Sequence, residues 1–206
     1  MKKFLILFLT VCCFAVSSLF AANANEIFKK SFEQLETLKK QGISYDVKSV
    51  IEDEKKKSIN ATVYMKGKKI RIDATEGVVI IDEKNMYIFS VAEKTAIKMN
   101  INADMIKQTT FDISQEKADE LLFVKKSSKN GYSCYMFKSK DNGEDVKYYL
   151  TDKYGLPTYV KEENLETNIT NFKVGDIKDD LFVLPKDVNV IDMTDFSPEQ
   201  FLQNMK

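Results

Sequence analysis

Between Ile59 and Met99 the chain runs through one strand after another with no stretch patterned as a helix. Ile59, Ala61, Val63 and Met65 alternate with Asn60, Thr62 and Tyr64, the period of two that gives a strand one apolar face. Gly67 and Lys68 make a turn, and Lys69 to Ala74 resumes the alternation with Ile70, Ile72 and Ala74 opposite Arg71 and Asp73. Val78 to Ile81, Met86 to Val91 and Thr95 to Met99 follow, separated by Glu76-Gly77, Asp82 to Asn85 and Ala92 to Lys94. A parallel crossover needs a dozen or more residues, so connections this short join antiparallel neighbours. The stretch predicts a curved antiparallel sheet.

The first 24 residues read as an address. Two lysines precede an apolar run from Phe4 to Phe20, and Ala22-Asn23-Ala24 follows as an A-x-A cleavage site, the layout of a secretory signal peptide. An uncleaved anchor, which needs about 20 apolar residues, and lipoprotein processing at Cys12 are the competing readings. Cleavage after Ala24 is the expectation, leaving residues 25–206 as one domain.

Removal of Lys2 and Lys3 leaves 29 basic against 31 acidic side chains, a net charge of −2 with no basic surplus for nucleic acid. There is no histidine, and Cys134 is the one cysteine outside the leader. Ser-His-Asp and Cys-His catalysis are therefore excluded, as are a disulfide within that domain and a Cys/His zinc site. No arrangement of the remaining carboxylates, lysines, tyrosines and hydroxyls stands out as catalytic, so a non-enzyme is expected, with no cofactor.

Asn25 to Gln41 carries Ile27, Phe28, Phe32, Leu35 and Leu38 at helical spacing, with Asn25 as cap and Gly42 as stop. Its other face is charged, so this helix is expected to lie against the sheet. Ile43, Tyr45 and Val47 then alternate with Ser44, Asp46 and Lys48 as a strand. Asn102 to Gln108, with Met105 and Ile106, reads as a short helical turn. Ser114 to Val124 reads as a clearer helix with Ala118, Leu121 and Leu122 on one side. Strands return at Tyr132 to Ser139, Val146 to Thr151, Thr158 to Glu163 and Glu166 to Val174, the first two joined by Asp141-Asn142-Gly143. A final extended piece runs through Ile191, and Ser197-Pro198-Glu199-Gln200 opens a short C-terminal helix. The class is α+β.

Three stretches carry a likeness: Met65 to Asp73, Val79 to Phe89, and Ile169 to Phe172 continued by Asp180 to Pro185. With the layout of leader, helix, meander, helical interruption and second meander, the chain resembles the periplasmic outer-membrane lipoprotein carriers, the LolA-like superfamily. That resemblance implies an incomplete half-barrel whose concave apolar face is covered by helices and receives the acyl chains of a lipoprotein or lipid. It also implies a monomer in the periplasm, with inner- and outer-membrane delivery proteins as partners. On this reading Tyr45, Val47, Val63, Met65, Ile70, Ile72, Ile81, Met86, Ile88, Met99 and Met136 line the cavity. Leu35, Leu38, Met105, Ile106, Leu121 and Leu122 form the lid.

Met65, Met86, Met99 and Met136 all fall in strands, and methionine suits walls that admit variable guests, though it fills gaps in a solid core equally well. Arg71 is the one arginine among 30 lysines. Its planar set of five donors suits a latch between lid and sheet or a headgroup contact at the cavity mouth. An arginine merely paired across the sheet is the other reading. Asp141, Glu144 and Asp145 lack the spacing of a calcium loop, and Cys134 is expected to be a buried inert thiol. A cell-envelope module that docks a protein on the same sheet, with a filled core, is the alternative to a lipid carrier.

Overall fold

The computed structural model describes residues 24–52, 56–75, 77–101, 121–139, 147–162 and 164–194. Helix α1 (24–41) comes first. The strands are β1 (Ile43–Ile51), β2 (Lys57–Lys66), β3 (Lys69–Ala74), β4 (Gly77–Ile81), β5 (Asn85–Ser90), β6 (Thr95–Asn100), β7 (Leu121–Lys129), β8 (Tyr132–Ser139), β9 (Lys147–Thr151), β10 (Pro157–Glu162), β11 (Leu165–Val174) and β12 (Asn189–Asp192). Packing divides the chain into two compact units, one of Met1–Leu35 with Asp112–Glu166 and the other of Glu36–Phe111 with Thr167–Lys206.

In the second unit the strands lie in the order β12-β6-β5-β4-β3-β2-β1-β11. The antiparallel meander expected from Ile59 to Met99 is present, each strand pairing with the next in sequence. The final extended piece joins it as β12, which runs parallel to β6 with Asn189 opposite Thr95 and Asp192 opposite Lys98. Parallel pairing is open to it because a long connection separates the two strands. Between β11 and β12 a single 3-10 turn, Asp179–Phe182, crosses one face of the sheet. There Ile177 and Phe182 pack on Val78, Ile80, Phe89 and Ala96, with Tyr64, Tyr87, Leu181, Leu184 and Val188 around them.

The first unit holds β10-β9-β8-β7, again antiparallel. Helix α1 lies against this sheet, as its amphipathic pattern predicts. Phe28 meets Phe137 edge-on at 5.0 Å, a geometry that aromatic quadrupoles favour, and lies tilted against Tyr148 at 6.0 Å.

One expectation is overturned here. Leu121 and Leu122 are not on a helix; they open strand β7, which pairs with β8 from Leu121 opposite Ser139 to Lys129 opposite Tyr132. Asn130 and Gly131, both at positive φ (53° and 81°), turn the chain between them, the two-residue geometry whose twist matches a hairpin. The expected turn at Asp141-Asn142-Gly143, the segments holding Met105, Ile106 and most of Ser114 to Val124, the C-terminal helix and nearly all of the leader lie outside the described residues. So do Glu144 and Asp145. Among the described residues no helix is long and apolar enough to cross a membrane.

Candidate functional site: an apolar face of the larger sheet

Strand register sorts the side chains of the second unit onto two faces. On the first face one cross-strand row reads Ile43, Met65, Ile70, Ile81, Met86, Met99, each opposite the next. A second row beside it reads Tyr45, Val63, Ile72, Val79, Ile88, Ile97, and β12 extends it with Ile191. A third begins Val47, Ala61, Ala74, Gly77. Ten of the eleven residues expected to line a cavity therefore share one face. Met136 does not join them: it belongs to β8 in the other unit, opposite Tyr149.

The rows differ in burial. Every member of the first is buried, from Ile43 at 0% exposure to Met86 at 6%. In the second, Tyr45 and Val63 are buried, Ile72, Val79 and Ile97 are half-buried, and Ile88 and Ile191 reach 39% and 47% exposure. Across β1 to β6 this strip spans on the order of 24 Å at the usual strand spacing. Among the described residues between Val47 and Met99, the one charged side chain that alternates onto this face is Lys57, at the start of β2. Burial raises the Tyr45 phenol above its ordinary range, so at the head of the strip it is neutral, and its ring packs on Phe172 at 5.7 Å.

Arg71 stands on the second face, opposite Tyr64 and Ile80. Its Nε donates to Asp73 Oδ1 at 2.6 Å and its Nη1 to the Leu181 carbonyl at 2.8 Å, with the side chain 19% exposed. The guanidinium thus fastens the 3-10 turn to the sheet through two diverging donors. Lys66 reinforces it, donating to the Ile177 carbonyl and to Asp179. Arg71→Lys keeps the charge but cannot serve both directions. The expected cost is about 1–3 kcal/mol, read as a lower melting temperature with faster amide exchange across residues 177–183. Unchanged exchange there would rule out the latch.

Among the expected lid residues, Leu35 is buried and Leu38 half-buried on α1. Leu121 is buried and Leu122 exposed in β7. Cys134 is buried in β8, and burial pushes its thiol up to about 11, which keeps it protonated and unreactive. The segment Asp187 to Thr194 is tied down by contacts the sequence does not show. Lys94 and Lys98 hold it through Asp187 and Asp192 at 2.6 and 2.9 Å, and lysine–aspartate pairs so distant in sequence leave no local signal.

No protein-family model matches the chain. An uncharacterized protein of Methanocaldococcus jannaschii is 24% identical over 191 residues, which takes in 87% of this chain; the chain spans 57% of that relative's length. Among solved structures, an uncharacterized conserved protein from Thermus thermophilus matches 80% of this chain and 98% of its own, at 11% identity and a TM-score of 0.56. That likeness concerns the fold alone. Similar structures also include a LolA superfamily protein from Nitrosomonas europaea (10% identity, 75% and 96% coverage, TM-score 0.39) and MucB of Pseudomonas aeruginosa, solved with MucA (13% identity, 82% and 63% coverage, TM-score 0.45). At those scores neither bears on function.

Proposed function

We propose that this protein is a non-enzymatic binder or carrier of lipoproteins or lipids in the periplasm, holding acyl chains against the apolar strip of the larger sheet. The supporting observation is the half-exposed row Ile72, Val79, Ile88 and Ile97, set beside a buried row containing Met65, Met86 and Met99, two rows without a charged side chain. An alkyl chain lying across these strands leaves water without requiring any polar partner. Each methylene so removed contributes about 0.8 kcal/mol, so roughly ten supply on the order of 8 kcal/mol before ordering costs. Where a charged group must stay outside, the strip's neutrality places it at the rim.

The buried first row favours a second reading. A row already at 0–6% exposure offers a guest no depth, and a protein partner's apolar side chains would fit the shallow strip that remains. Native mass spectrometry of the protein purified from its own envelope, before and after organic extraction, separates the two. A mass difference matching a lipid or lipopeptide is expected, together with uptake of a fluorescent acyl probe. Ile88→Glu, at a site exposed enough to leave folding intact, is expected to weaken that uptake by at least about tenfold, the effect of roughly 1.4 kcal/mol. An unchanged mass with no probe uptake would sink the acyl reading and leave protein docking.

A further inference from the structure

Helix α1 covers the face of the first unit's sheet that carries Phe137 and Tyr148, which it meets through Phe28. The residues between them alternate onto the reverse, and there the charge is of one sign. One cross-strand row reads Leu122, Lys138, Lys147, Lys161, each directly opposite the next across β7, β8, β9 and β10. The row beside it reads Lys125, Met136, Tyr149, Tyr159. Lys129 follows on β7, and its Nζ lies 3.8 Å from the centre of the Tyr159 ring and 5.9 Å from that of Tyr149. Glu162, the one acid in these four strands, alternates onto the side of α1.

Such a row is unfavourable as it stands, because like charges directly opposite in a sheet repel. Among the described residues no carboxylate pairs with Lys125, Lys138, Lys147 or Lys161. Burial, with Glu166 of β11 beside it, raises the Tyr159 phenol, and Glu166 already has a partner. Lys125 and Lys138 are exposed, and Lys147 and Lys161 half-buried. The row therefore has room for anions from outside the chain.

The residue types select among anionic partners. Every cation on this face is a lysine, and the single arginine of the chain lies in the other unit. An ammonium is a hydrated point charge with no planar fork for one bound carboxylate or phosphate, so a line of them suits an extended anionic surface. What stands between the ammoniums suits the same surface. Leu122, 39% exposed, heads the lysine row, and half-buried Tyr149 offers an apolar ring with a polar tip. Aliphatic and aromatic groups set among lysines are the composition of protein surfaces that rest in a headgroup layer.

We infer that this face docks on an anionic phospholipid bilayer, with Lys125, Lys138, Lys147 and Lys161 toward the headgroups and Leu122 at the acyl boundary. The face belongs to the first unit and the acyl strip to the second, so the inference does not rest on the proposed function.

Vesicle sedimentation at low ionic strength tests it, with protein purified from its own envelope and variants prepared in the same way. The protein is expected to sediment with vesicles of equal parts phosphatidylglycerol and phosphatidylcholine, not with phosphatidylcholine alone, and to be released as added salt shortens the Debye length. Lys125→Gln, at an exposed site, is expected to weaken partitioning about fivefold, and Lys138→Gln/Lys147→Gln/Lys161→Gln roughly a hundredfold. The melting temperature of that triple variant is expected to hold or rise, since the change removes the repulsion along the row. A lower melting temperature would show that the row is neutralised within the chain, and overturns the proposal. So does equal partitioning of the wild type and the triple variant, or no sedimentation with either vesicle. Capture of poly-glutamate without vesicle binding overturns it in favour of an acidic protein partner.

Discussion

Gly155→Ala is expected to lower the melting temperature by about 6–15 °C, from a loss of roughly 3–4 kcal/mol. Gly155 sits at φ 62° in the turn between β9 and β10, where an L side chain costs about 1 kcal/mol. The larger part of the penalty is steric. A Cβ there would fall on the Ser31 carbonyl oxygen of α1 and lie 2.9 Å from its carbon. Neither neighbour gives way cheaply. The turn is tied by Thr151, whose hydroxyl donates to the Leu156 carbonyl and accepts from the Tyr154 and Leu156 amides. The helix is tied to the turn by Gln34, which donates to the Lys153 carbonyl. Gly131→Ala supplies the control, since it shares the positive φ but meets nothing within 4 Å. Its cost should stop near 1 kcal/mol. Equal losses at the two sites in thermal melts would show that backbone conformation, and not the approach of the helix, sets the effect.

Phe137→Ala is expected to cost about 3–5 kcal/mol, the range for deleting a fully buried aromatic side chain. Phe137 is wholly buried in β8 and lies within ring contact of Phe28, Phe123 and Tyr148. Truncation leaves a cavity under α1 that three rigid rings cannot collapse to fill. Because Phe28 and Phe137 share that space, Phe28→Ala/Phe137→Ala should cost less than the sum of the single changes, by about 0.5–3 kcal/mol in denaturant unfolding. Strict additivity would mean that the helix does not rest on this ring.

Much of the strand pattern was readable from alternation alone. Lys69–Ala74 and Tyr132–Ser139 are strands at the predicted bounds, and the partition of Ile70 and Ile72 from Arg71 and Asp73 matches the register. Period two is enforced by the pleat, so it survives without tertiary knowledge. Strand β7 shows where that logic breaks. A bulge between Phe123 and Lys125 shifts the pairing by one residue, which scrambles the alternation, while Ala118, Leu121 and Leu122 fall by chance at helical spacing. The Asn130-Gly131 turn was the available correction, because Asn-Gly between two candidate strands signals a hairpin.

The candidate site divides in the same way. Period two determined which side chains share a face, and so placed together ten of the residues expected to line a cavity. It was silent on which face stays open. Strand β4 carries Val78 and Ile80 on one side and Val79 and Ile81 on the other, so both sides read as core. Tertiary structure decided that Ile177 to Val188 covers the first of these and that Arg71 fastens the cover through Leu181. It also left Ile88 half in water. Local pattern encodes orientation, which depends on neighbours along the chain; occupancy of a face depends on segments about a hundred residues away, whose arrival leaves no periodicity behind.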